Sequence, residues 1–330
     1  MDRNHPLQLR RRQRRGGPAG TLVFDNRGNL YGGYDGGLFE LSPPAAAGGA
    51  WTKTNLPSAG LQQGSKLLYY IGNFYGVTQD GGTAGKGTAF VLKPPTTNGG
   101  SWTLRVIHNF GVVAGDGTVP MAGLTLHNGS LYGTTNQGGA SLGGSGVVFE
   151  LTPKNGVWTY TILYDFIANE NGGGAPFGPL VFDPAGNIYG TTSGESVAFP
   201  NPGGVYELSP PSVPGNPWQE TILSNFTDGT NGISPMAGVI RDAANNLYGT
   251  TYYGGGTHSL GVVFKLNPPK VAGGTWTEVV LRKFAGAPSD GAHPSGELIL
   301  LNGALYGTTS AGGVNITNNI AGGTVLSLVP

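Results

Sequence analysis

The stretch "NLYGTTYYGG", residues 246–255, reads as a short strand that runs into a glycine turn, and near copies of it recur along the chain. The Tyr-Gly pair stands at Tyr31, Tyr75, Tyr132, Tyr189, Tyr248 and Tyr306, 44 to 59 residues apart. A fixed period decides the fold before local propensity does, because each unit must bury its faces against copies of itself. All five tryptophans, Trp51, Trp102, Trp158, Trp218 and Trp276, fall in a second common register. Each opens a segment such as "WTYTILYDF" (158–166) or "WTEVVLRKF" (276–284), so no tryptophan is left for a special role.

The third repeat shows one whole unit: "PMAGLTL" from Pro120, a turn at "HNGS", "LYGTT" from Leu131, a glycine-rich loop, "GVVFELTP" from Gly146, a second turn, then "WTYTILYDF" from Trp158. Four short segments rich in Val, Ile, Thr, Tyr and Phe, punctuated by Gly, Asn and Pro, make a four-stranded antiparallel meander. Its strands are called A, B, C and D in order. No window of ten or more residues holds a 3.6-residue apolar period free of Gly and Pro, so no amphipathic helix is expected.

A twisted four-stranded sheet cannot cover both of its faces alone, and units of this length with four strands favour stacking around an axis. The expected fold is all-β: a β-propeller of six four-stranded blades, over about 17–58, 59–112, 113–168, 169–226, 227–284 and 285–330. The tyrosine of "LYG" then packs between neighbouring blades with its hydroxyl near the wet edge, and the glycine after it allows close backbone approach. With 61 glycines and 24 prolines in 330 residues, an aperiodic chain would suggest disorder, but here the glycines sit in register at turns. Charged residues make up 11%, against about 25% in ordinary soluble domains. That argues against nucleic acid as a partner of the propeller, since phosphate binding needs clustered Lys and Arg.

Residues 1–16, "MDRNHPLQLRRRQRRG", hold six of the eighteen basic residues and one of the eighteen acids. Such a cluster can bind nucleic acid or acidic lipid, and the plainer reading is a solvated basic tail. No apolar run of signal-peptide length follows the arginines, and no 18-residue apolar run could span a membrane. The absence of cysteine neither requires nor excludes export. The sixth unit stops at "GTVLSLVP", its C strand, without a Trp-led D strand. An unpaired edge leaves backbone groups unsatisfied. Counting back from Pro18 by the spacing seen in the other units therefore places residues near Leu7–Arg10 along the outside of the sixth blade as a closing strand.

The motifs "LYGTT..GG....GVVFELTP" and "DG..P.AG" resemble the Gloeo/Verruco repeat, GloVer, found in tandem in bacterial proteins. The resemblance covers roughly residues 17–330. It is specific in the third to sixth units, weaker in the second ("FYGVTQDGG", 74–82) and partial in the first, where "LYGGYDGGLFEL" has lost most of the B–C loop. It implies a secreted or surface-attached propeller with no assigned activity. The lack of a signal peptide and of an anchor in this sequence departs from that pattern and leaves localisation open.

Polar residues that escape the repeat are the place to look for chemistry. Glu40, Glu150 and Glu207 share one C-strand position with Lys265 and read as solvated, Glu220 and Glu278 share a position on the outermost D strand, and neither set reads as catalytic. Asp116, Asp228 and Asp290 precede Gly in the D–A connection, where an Asx-type turn is the common reason for Asp-Gly. They are also the candidate metal ligands, although a hard cation needs six to eight oxygens and no EF-hand loop is present. Candidate acid and base groups are Lys66, His258, His293 and Glu297; neither a Gly-x-Ser-x-Gly elbow, a His-x-x-x-His pair nor a P-loop occurs. A loop histidine is more often a surface residue than a catalyst.

Two function classes follow: a non-enzymatic binding or structural propeller whose ligand is a glycan or a protein, and a propeller lyase or hydrolase acting on a polysaccharide or cyclic peptide with acid and base at the channel mouth. The first is favoured, because the non-repeating polar residues are scattered. A–B turns are short and uniform, whereas B–C loops vary in length and content. Variable loops on a rigid frame are where recognition is expected, on the face shared by the B–C and D–A loops. Tyr252, Tyr253 and His258 are the expected contact residues there. A monomer with no cofactor is expected.

Overall fold

The computed structural model describes residues 18–34, 37–57, 67–97, 100–141, 143–167, 174–196, 199–200, 202–226, 229–271, 273–314 and 322–330. All regular structure among them is strand, and the fold is a β-propeller of six four-stranded blades. Among the described residues no helix is long and apolar enough to cross a membrane. The fifth blade shows the pattern. Ile240–Arg241, Leu247–Thr251, Val262–Asn267 and Thr277–Lys283 pair antiparallel in the order A-B-C-D, with Tyr248 opposite Lys265 and Phe264 opposite Val280.

The chain divides into two compact units, residues 1–131 with 151–160, and residues 132–150 with 161–330. In the first unit Tyr31, Leu38, Leu67, Phe74, Phe90 and Leu92 form one core across the first two blades. In the second, Tyr189, Phe226, Leu247, Phe264 and Leu266 belong to a core that joins the fourth and fifth blades. The inner B and C strands of the fourth and fifth blades are buried on both faces, which suits the low charge of the chain. The glycine of "LYG" is dictated by this packing. A Cβ on Gly249 would lie 2.5 Å from the Phe264 ring, and one on Gly190 would lie 2.3 Å from the Tyr206 hydroxyl.

Neighbouring blades meet at a repeated joint. Gly87, Gly146, Gly203 and Gly261 stand at positive φ just before their C strands, and a Cβ on each would come within 2.6–2.9 Å of Pro120, Pro176, Pro235 and Pro294 of the next blade. The residues before those prolines, Val119, Ala175, Ser234 and His293, are all left-handed, with φ of 59°, 52°, 53° and 57°. That conformation is uncommon without glycine. It is held because each N–H donates to the carbonyl before the joint glycine, at Lys86, Ser145, Pro202 and Leu260, over 2.7–2.9 Å.

The tryptophans occupy one repeated position at the start of strand D. Trp102 meets Tyr31 of the preceding blade at 5.8 Å, Trp158 meets Tyr75 at 5.8 Å and Trp276 meets Tyr189 at 6.0 Å, all edge-on. Tyr31, Tyr75 and Tyr189 of the "LYG" register therefore pack between blades, as their repetition predicts. A bulge in the C–D pairing recurs in the second, fourth and fifth blades and re-aims the outer strand. The residue just after it reaches the D strand of the next blade: His108 stacks on Tyr160 at 3.9 Å, and Ser224 donates to Glu278 at 2.5 Å. In the third blade Tyr164, at the same place, donates to Glu220 at 2.9 Å. Glu220 and Glu278 are thus inter-blade clasps.

The sixth blade differs. Its A strand is split into Gly291–Pro294 and Ile299–Leu301, both paired with Ala304–Gly312, and Val325–Leu328 forms the other edge. The expected closing strand at Leu7–Arg10 lies outside the described residues.

Candidate functional site

The B–C hairpin of the fifth blade and the D–A connection into the sixth bring Tyr252, Tyr253 and His293 together. His293 stacks on Tyr252 at 4.7 Å with 24° between the rings, and Tyr253 stands edge-on to both, 4.7 Å from Tyr252 and 5.4 Å from His293. Tyr253 is 41% exposed, so one ring of the three is open to solvent.

The backbone beneath this cluster is fully tied. Tyr252 donates to the Ser234 carbonyl, and Tyr253 and Ile233 exchange both of their backbone bonds at 2.9–3.0 Å. Thr251 Oγ1 donates to the Tyr253 carbonyl. His293 is the left-handed residue of the joint to the sixth blade, and its carbonyl accepts from Ser310 Oγ at 2.7 Å. The Nδ1 of His293 lies 3.0 Å from the Tyr252 carbonyl, which can only accept, so Nδ1 is the donor of that bond. Rings whose rotamers and backbones are already fixed lose little entropy on meeting a ligand.

Of the other candidates, His258 is exposed and its Nδ1 meets its own neighbour Thr257 at 3.3 Å. Glu297 is half-buried just before the second segment of the split A strand. Lys66 and Asp228 lie outside the described residues. Asp116 turns back on its chain, and Asp290 does so while also accepting from the amide of Gly291, the Gly that follows it, at 2.8 Å. Asp116 accepts from the Gly111 amide at 2.8 Å and lies 3.3 Å from His108 Nε2. Asp290 accepts from the Ala285 amide at 2.8 Å and pairs with Arg282. Burial opposes the charge of both, but these hydrogen bonds outweigh it and hold both carboxyls below the usual range. Among the described residues no three His, Asp or Glu side chains are grouped to hold a metal ion.

A second polar constellation, on the opposite edge of the sheets, is not singled out by sequence reasoning. Asp25, Asp183 and Asp242 open the longer A–B turns. Each carboxylate accepts from the amides two and four residues on, from an Asn side chain and from the B-strand tyrosine hydroxyl. The spacing Asp-x-x-x-Asn-x-Tyr is the signal that could have revealed it. Glu40 and Glu150, read above as solvated, accept from Tyr31 and Tyr132 at 3.1 and 2.9 Å. Burial first, then the adjacent carboxylates, push these phenols up: Tyr248 to about 12, and Tyr31 and Tyr189 further.

Among curated proteins none matches the sequence. A luciferin-regenerating enzyme is similar in structure at a TM-score of 0.52 and 13% identity, over 96% of this chain and 91% of that one. The alpha-L-arabinanase of Penicillium chrysogenum, solved with arabinobiose, is similar at a TM-score of 0.53 and 14% identity, over 97% of this chain and 95% of that one. At such identities the likeness is one of fold. The sequence itself matches the Gloeobacter/Verrucomicrobia repeat in two overlapping stretches, residues 33–216 and 201–330. These stretches take in the "LYGTT", "GVVFEL" and "P.AG" elements of the third to fifth blades, and this chain belongs to the Gloeobacter/Verrucomicrobia repeat family.

Proposed function

We propose that the protein is a non-enzymatic binding propeller that holds a glycan against Tyr252, Tyr253 and His293. The observation that carries this reading is the pinned, half-open ring of Tyr253, edge-on to a stacked Tyr252–His293 pair. A fixed aromatic face with nearby hydroxyl and imidazole groups suits a sugar ring, whose C–H face stacks while its hydroxyls find hydrogen-bond partners. A lyase or hydrolase reading would need a proton-transfer pair at this place. His293 Nδ1 is taken by a backbone carbonyl, and among the described residues no carboxylate is bonded to the ring.

The test is a glycan array followed by calorimetry on the best ligand, with Tyr253→Ala beside the wild type. Loss of the exposed ring should leave the thermal midpoint unchanged and weaken binding about tenfold, the scale of one stacking contact of 1–2 kcal/mol. Identical array profiles for the two proteins would reject the site. Reducing or unsaturated ends released by the wild type and lost in His293→Asn would replace the binding reading with the enzymatic one.

A further inference from the structure

The first two blades enclose a cleft of 420 Å³ on the A–B turn edge, lined among others by Asp25, Tyr31 and Glu40 of the first blade and Tyr69, Phe74 and Trp102 of the second. The two turns beside it differ in length. The first blade carries the longer Asp25–Asn29 turn, whereas the second turns back within Ile71 and Gly72, at φ of 45° and 73°. Where two longer turns adjoin, at the fourth and fifth blades, Asn245 of the fifth blade's turn reaches the Tyr189 hydroxyl. The second blade has no such residue to offer Tyr31.

The chemistry of the cleft is short of donors. The Tyr31 hydroxyl lies 3.1 Å from both Asp25 Oδ2 and Glu40 Oε1, yet a phenol has a single proton to donate. Asp25 is saturated by its turn, but Glu40 Oε2 makes no hydrogen bond among the described residues. Aromatic rings line the same cleft, the buried Tyr31 and Phe74 at 4.2 Å and Phe74 and the half-buried Trp102 at 6.0 Å. Two carboxylates outweigh the one guanidinium, Arg27, that lines the same cleft. The complement of acceptors over π faces is a compact cation rich in N–H, which gains from both. The chain carries its own version of that arrangement. Lys265 stands in the fifth blade where Glu40 stands in the first, and its ammonium lies 5.6 Å from the ring of Tyr248, the counterpart of Tyr31.

We propose that the cleft between the first and second blades binds a primary alkylammonium group of the lysine side-chain type, seated between Glu40 and the Tyr31–Trp102 rings. This site is separate from the glycan reading, which rests on the fifth and sixth blades, and either can fail alone. The experiment titrates the full chain with 1,5-diaminopentane, with the methylamide of Nα-acetyl-lysine and with neutral methyl glucoside, and follows the five tryptophan indole N–H resonances, Trp102 being assigned through Trp102→Phe. Both amines should shift the Trp102 resonance with dissociation constants on the order of 1 mM, and the glucoside should not. Binding of the diamine alone would restrict the site to free amines, and binding of the lysine amide would extend it to peptides.

Glu40→Gln should weaken the amines at least tenfold. Glu40→Lys, which copies the fifth blade's own arrangement, should abolish binding with the thermal midpoint kept. An unmoved Trp102 resonance, amine affinity unchanged in Glu40→Gln, or equal shifts by the glucoside would each overturn the proposal.

Discussion

The fifth and sixth blades share the B-strand sequence "LYGTT" and bury it differently. In the fifth, Leu247–Thr251 is buried at every residue; in the sixth, Ala304–Gly312 is buried at Leu305, Gly307, Thr309 and Gly312 and exposed between them. Tyr248 is 3% exposed and Tyr306 is 38%. The inward face of the sixth blade, Leu298, Leu305 and Leu326, shares a core with Tyr248 and Phe284 of the fifth. Its other face carries Tyr306 opposite Ile299, with Val325 alongside, and both aliphatic residues are more than 60% exposed. The same five residues thus serve a strand covered on two faces and a strand covered on one. Burial in this fold is a property of the junction rather than of the blade.

The largest expected effect follows from that contrast. Tyr248→Ala removes a buried ring from the shared core and should destabilise the protein by about 3–5 kcal/mol, whereas Tyr306→Ala, at the matching position, should cost about 1 kcal/mol or less. Urea denaturation of both variants at unchanged slope measures the difference. Equal losses would mean that the sixth blade is covered on both faces in solution.

The joint glycines sharpen the same comparison. Gly261, at φ 93°, would place a Cβ 2.4 Å from the Thr251 carbonyl and 2.7 Å from Pro294 of the next blade. Gly303, at φ 79° in the sixth blade's A–B turn, meets nothing within 4 Å. Gly303→Ala should therefore lose only the conformational term, about 1 kcal/mol, and Gly261→Ala should lose clearly more because backbone must move. A Gly261→Ala midpoint as close to wild type as that of Gly303→Ala would show that the joints yield easily.

Much of the fold was legible because the repeat writes it several times over. The Trp register fixed the start of each D strand, and the Tyr-Gly register fixed the B strands and their place between blades. The junctions were less legible, since they depend on two units at once. Nothing in "YIGN" (70–73) taken alone says that a cleft opens beside the turn of the preceding blade. Tyr252 and His293 each stood out by breaking the repeat, but their contact across 41 residues comes from the joint geometry, in which the left-handed residue before each A-strand proline is held against the preceding blade's loop. The role of the D-strand acids was hidden for the same reason: Glu220 and Glu278 find their partners on another blade.

Those acids give the smallest predicted effect and the one with a sign of its own. The clasp position after the fifth blade's bulge carries Arg282, which pairs with Asp290, while its third-blade counterpart Tyr164 bonds Glu220. Burial pushes the Glu220 carboxyl above its ordinary 4.5, and the Tyr164 hydroxyl offsets only part of that rise. A carboxyl raised on folding makes the native state bind the extra proton, so stability is highest below about 4.5 and declines as pH rises toward the folded value. Asp290, lowered on folding, acts oppositely: its contribution is present above the ordinary 3.8 and is lost as pH falls. Glu220→Gln keeps an acceptor for Tyr164 and removes the titration. Its thermal midpoint should match wild type near pH 4 and exceed it by roughly 2 °C at pH 7. Asp290→Asn should fall below wild type at pH 7 and converge with it toward pH 3. Midpoints measured from pH 3 to 8 decide the matter: parallel curves for wild type and Glu220→Gln would mean that the clasp is open to water and that the third and fifth blades are fastened alike.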